Sequence, residues 1–112
     1  MTENTRPGAE ALERLFAVIE DRKGGDVSRS YTARLLADGA DRIAQKLGEE
    51  AIEAVIAGVN RDRAAVITES ADLLYHLLVL WAATGVAPGE VWAELARREG
   101  RSGLDEKRGR GG

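Results

Sequence analysis

Apolar residues at Leu12, Leu15, Phe16 and Ile19 recur at i, i+3, i+4 and i+7, which predicts an amphipathic helix over residues 9–23 that Gly24 and Gly25 end. Ser30 is placed to cap a short helix running through Ala37, and Gly39 to stop it, because glycine tolerates the left-handed backbone that a helix end often needs. Asp41 is the expected cap of a long helix to about Ala57. Gly58, Val59 and Asn60 then read as a turn into a second long helix, from about Asp62 to Thr84. So short a connection forces the two long helices to lie antiparallel. Gly85 closes the second, and Pro88 suits the first turn of a last helix that extends to about Glu99.

This pattern predicts an all-α fold, an antiparallel bundle of four to five helices forming one domain over residues 1–112. Residues 1–8 are polar and 105–112 glycine-rich and charged, so both ends are expected to be flexible. Aromatic residues make up only 4% of the chain, which suits close-packed helices built from Ala, Leu, Val and Ile. A domain of 112 residues has a modest core, and oligomerisation is a common way to complete one. The long second helix carries Leu73, Leu74, Leu77, Leu78, Val79, Leu80 and Trp81 around its axis, more apolar surface than one small monomer covers, so a homodimer is expected.

Charge narrows the function. Nineteen acidic residues against sixteen basic ones leave a net charge of −3, too little positive charge to hold nucleic acid by counterion release. The first residues carry neither the basic region nor the apolar run of a signal peptide. The longest apolar stretch, Leu73 to Val86, is broken by His76, Thr84 and Gly85 and is shorter than the roughly 20 residues of a membrane span. No membrane partner and a cytoplasmic location are therefore expected. Zero cysteines leave oxygen or imidazole as the ligands for any metal.

At 100° per residue, Ile43, Leu47, Ala51 and Ala54 share the expected core side of the first long helix, with Lys46, Glu50, Glu53 and Ala57 in the neighbouring stripe and Glu49 pointing further out. On the second, Val66, Leu73 and Leu77 mark the core side, and Glu69, Asp72 and His76 run beside them. If the two stripes face each other, carboxylates converge, and like charges repel unless protons or a cation compensate them. Mg²⁺, which takes oxygen ligands and shares substrate phosphates, is the natural compensating ion. The competing reading is a pair of solvated acidic faces on a non-catalytic dimerisation module. His76, in an apolar setting, reads as a buried, hydrogen-bonded histidine rather than a metal ligand.

The segments KLGEEAIEAVIA (Lys46 to Ala57) and ESADLLYHLLVL (Glu69 to Leu80), with SYTARLLADG (Ser30 to Gly39) and RREGRSGLDEK (Arg97 to Lys107), resemble the phosphoribosyl-ATP pyrophosphohydrolase family of histidine biosynthesis. That family is similar to the MazG-like all-α nucleotide pyrophosphohydrolases, whose E-E-x-x-E and E-x-x-D signature reads here as Glu49, Glu50, Glu53, then Glu69 and Asp72. The resemblance implies Mg²⁺ held by Glu50, Glu53, Glu69 and Asp72, a dimer, and a small-molecule nucleotide substrate hydrolysed to a phosphoribosyl-AMP and pyrophosphate. Glu49 and Glu53 are the candidates for activating water. Charge logic adds Lys46, Arg98, Arg101 and Lys107 as phosphate contacts, with the stretch from Arg101 to Lys107 expected to order over substrate. The signature alone would also fit a house-cleaning nucleoside triphosphate pyrophosphatase of MazG type.

Overall fold

The computed structural model describes residues 7–100, and the described residues form five helices and no strand. These are α1 (Glu10–Asp21), α2 (Tyr31–Asp38), α3 (Ala40–Val59), α4 (Arg63–Thr84) and α5 (Pro88–Arg98). The expected starts and stops recur in detail at three of the boundaries. The Ser30 hydroxyl accepts from the Ala33 amide at 3.0 Å, Asp62 Oδ1 accepts from the Ala65 amide at 3.1 Å, and Gly85 ends α4 in the left-handed region.

Two boundaries differ from the sequence pattern. Asp41 is not the cap of α3: Gly39, with φ at 99°, ends α2 and starts α3 at once, which leaves Asp41 inside the first turn, where its charge still favours the helix N-terminus. Gly58 and Val59 remain helical, and the turn falls on residues 60–62 with Arg61 in the left-handed region. Helical hydrogen bonding thus outlasts the glycine, and Asp62, by capping α4, fixes where the turn must end.

The antiparallel α3–α4 hairpin is the frame on which α1 and α2 pack. The core gathers Ile19 from α1, Leu35 from α2, Ile43 from α3 and Leu78, Val79 and Ala82 from α4. It therefore lies beside the C-terminal half of α4. The expected core side of α4 is corrected accordingly: Val66 is exposed and Leu73 and Leu77 half-buried, whereas His76, Leu78, Val79 and Ala82 are buried. After Asp72 the helix is apolar nearly all round and gives no periodic clue to its inner face, and α1 and α2 choose it by where they land. On α3, Ala57 is likewise buried although it falls in the acidic stripe.

Helix α5 joins through Trp92, which meets Trp81 edge to face at 5.8 Å and donates its ring N–H to Glu13. By length and hydropathy alone α4 could cross a bilayer. It also supplies three of the six residues of the buried core, more than any other helix, and a core helix of a globular protein meets the same test.

Candidate carboxylate site

The turn at residues 60–62 makes the acidic stripes meet. Glu53 and Glu69 lie eight residues before and after Arg61, and Glu50 and Asp72 lie eleven before and after it, so antiparallel helices bring the members of each pair level. Carboxylate oxygens of Glu50, Glu69 and Asp72 come within 4.8 Å of one another, with Glu50 and Glu69 half-buried and Asp72 exposed. Glu53 stands just outside this group. Burial first, and then the charges of Glu53, Glu50 and Asp72 and a hydrogen bond with Glu50, raise the Glu69 pKa above its ordinary value of 4.5.

Glu49 is turned elsewhere. Its Oε1 accepts from Lys46 Nζ at 3.2 Å, and that hydrogen bond and ion pair push the Glu49 pKa below the ordinary range and the Lys46 pKa above it. Arg98 lies at the end of α5 and is held to Glu94 at 2.9 Å. Arg101 and Lys107, and with them the segment expected to order over substrate, lie outside the described residues.

The site is braced from behind by α2. His76 is buried and places Nδ1 at 2.8 Å from the Asp72 carbonyl oxygen; a carbonyl only accepts, so Nδ1 carries the hydrogen. In the neutral ring Nε2 then accepts from the Tyr31 hydroxyl at 3.2 Å. Both ring nitrogens are thereby occupied, as expected of a hydrogen-bonded core histidine. Next to this contact the Thr32 and Tyr75 hydroxyls share a second hydrogen bond, and Tyr31 and Tyr75 stack. Asp72 is therefore mounted on a helix that α2 holds by two side-chain hydrogen bonds.

Two basic residues outside the expected set share a concavity with Lys46. Arg34 on α2 and Arg42 on α3 line, with Tyr31, Leu35, Asp38 and Lys46, a cavity of about 280 Å³. The sequence did hold a signal, since Arg42, Lys46 and Glu50 recur every four residues along one side of α3.

Three hard oxygen donors this close, one of them with a raised pKa, fit a divalent cation such as Mg²⁺. The strain in the metal-free protein has a measurable sign. A folded-state pKa above the unfolded one means that stability is fully present below the ordinary glutamate range and is lost as pH rises above it. Glu69→Gln is therefore expected to melt a few degrees above the parent at pH 7 to 8 without metal. Thermal melts should show the gap closing as pH falls below 4.5, the ordinary value for this group. A gap that does not change with pH would mean that the repulsion is absent.

The model of the family described as phosphoribosyl-ATP pyrophosphohydrolase matches residues 12–99. A phosphoribosyl-ATP pyrophosphatase of Parvibaculum lavamentivorans is 62% identical over 92% of this chain and 94% of its own length. Proteins of the same name from Paramagnetospirillum magneticum and Azospirillum brasilense are 59% and 56% identical, over 88% and 91% of this chain and 91% and 92% of theirs.

Proposed function

This chain belongs to the phosphoribosyl-ATP pyrophosphohydrolase family, and from that membership we propose that it hydrolyses 1-(5-phosphoribosyl)-ATP to 1-(5-phosphoribosyl)-AMP and pyrophosphate, with Mg²⁺, in histidine biosynthesis in the cytoplasm. The observation that carries the reading is the convergence of Glu50, Glu69 and Asp72 across the hairpin. These three, with Glu53 beside them, would hold the ion. Bound Mg²⁺ would supply neutralisation of the triphosphate charge and a lowered pKa for the attacking water.

In the reaction, water oxygen adds to phosphorus at the α–β bridge, the bridging P–O bond breaks, and pyrophosphate leaves. The water's proton passes to a carboxylate. Glu53 suits that role better than Glu49, because Glu53 is exposed beside the cluster whereas Glu49 is bound by Lys46 and made less basic. Lys46, one turn from Glu50, is placed to meet a phosphate if its bond to Glu49 exchanges. Arg98, Arg101 and Lys107 stay in the proposal by charge alone.

The test is an assay of the purified protein with Mg²⁺, comparing 1-(5-phosphoribosyl)-ATP with ATP, dUTP and dCTP. One pyrophosphate per phosphoribosyl-ATP is expected, at a kcat/KM at least roughly a hundredfold above the others, because unmet polar contacts to a missing substrate group carry penalties of that order. Faster turnover of dUTP or dCTP would favour the house-cleaning reading. Calorimetric titration with Mn²⁺ would separate both from a dimerisation module, whose solvated acids bind weakly and without stoichiometry.

A further inference from the structure

The cavity between α2 and α3 is built by the bend at Gly39. With φ at 99°, this residue turns the chain between two helices, so that Arg34 and Asp38, one turn apart on α2, come to the same pocket as Arg42 and Lys46, one turn apart on α3. Buried Leu35 also lines it, as does Tyr31, whose hydroxyl reaches His76. Lys46 has Glu49 as a partner. Arg34 and Arg42 have no carboxylate within 4.0 Å among the described residues, and Asp38 is the one acid lining the pocket. Arg42 feels the Glu49 carboxylate only at longer range, where its charge helps to lower the Glu49 pKa, so in a chain of net charge −3 two guanidiniums around one concavity, neither in a direct ion pair, mark a place for an anion.

Its position gives the anion meaning. Along α3, Lys46 lies about 6 Å and Arg42 about 12 Å from Glu50, so the pocket opens one to two turns from the carboxylates. A substrate whose α–β bridge is held at the cluster still has phosphoryl groups to place elsewhere: the monophosphate of its second ribose and the outer end of the leaving pyrophosphate. We propose that this pocket is a subsite for a phosphoryl group that the carboxylates do not hold, with Arg34 and Arg42 as the residues that bind it. The inference rests on the proposed substrate, and both sources present the same chemistry, a multiply charged phosphate that a planar guanidinium meets with two N–H donors.

The test titrates the metal-free full chain with ribose 5-phosphate and with inorganic pyrophosphate, for the wild type, Arg34→Gln, Arg42→Gln and the corresponding lysine variants. Each glutamine variant is expected to weaken one of these ligands about tenfold or more and to raise KM for phosphoribosyl-ATP by a similar factor, with lysine restoring part of the loss. Weakened ribose 5-phosphate with kcat unchanged identifies the distal monophosphate, since such binding is equal in ground and transition states. Weakened pyrophosphate with lowered kcat identifies the leaving group. A wild type that binds neither ligand, or glutamine variants that bind both as the wild type does, overturns the subsite. Mn²⁺ stoichiometry should be unchanged throughout. If phosphoribosyl-ATP is not turned over while the arginine variants still lose ribose 5-phosphate, the substrate reading fails and the subsite stands.

Discussion

Glu50→Gln and Asp72→Asn are each expected to lower kcat/KM for phosphoribosyl-ATP by at least roughly a hundredfold while leaving the helices intact. Loss of a group that merely orients a metal ligand costs about 10- to 100-fold in affinity or activity, and these residues would be ligands themselves. Both substitutions are nearly isosteric and remove a negative charge from the cluster whose repulsion raises the Glu69 pKa. The metal-free variants should consequently melt no lower than the parent. Adding Mn²⁺, which raises the melting temperature of any protein whose folded state binds it, should do so for the parent and much less for the variants. Activity and stability thus move apart, which a folding defect cannot produce. A variant that turns over substrate as the parent does would exclude that residue from the site.

The second large effect concerns assembly. Ile52, Val55, Ile56 and Val59 follow i, i+3, i+4 and i+7 on α3, and each is more than half exposed; Ile67 and Leu74 on α4 are exposed too. In the turn half of the hairpin, residues 50–72, Ala57 alone is buried. An apolar stripe of this length is costly to leave in water, and its natural cover is the same stripe of a second copy. Sedimentation at micromolar concentration is expected to give a dimer of the 12.0 kDa chain. In a twofold interface every substitution occurs twice, and burying an unpaired charge costs several kcal/mol per ion. Ile56→Asp should therefore weaken the dimer by at least roughly a thousandfold, since each 1.4 kcal/mol is tenfold. Finding only the 12.0 kDa species for the wild type would refute the dimer. An Ile56→Asp protein that remains dimeric would move the interface to the other exposed faces of α4.

The two effects share a cause. The hairpin extends past the core, and its turn half carries the carboxylates on one side and the apolar stripe of α3 on another. A monomer would hold the cluster on an arm with little buried apolar surface, while the Tyr31 to His76 and Thr32 to Tyr75 hydrogen bonds fix only the end nearest the core.

The sequence by itself determined the helices and the identity of the acids. Apolar spacing, the cap Ser30, the helix start near Asp62 and the stop at Gly85 depend on residues close in sequence, so they are legible without a fold. The same holds for the acids of the stripe, because a spacing of three places Glu50 with Glu53 and Glu69 with Asp72 whatever surrounds them. The tertiary structure decided what depends on two elements at once. It selected Glu50, Glu69 and Asp72 as the group that meets. It chose the inner face of the second half of α4, which apart from His76 is apolar on all sides and offers no period to read, through the contacts of α1 and α2. The meeting of Arg34 and Arg42 in one pocket rests on the backbone angle at Gly39, which joins residues of two helices, whereas the spacing along α3 shows only that Arg42 shares a side with Lys46 and Glu50.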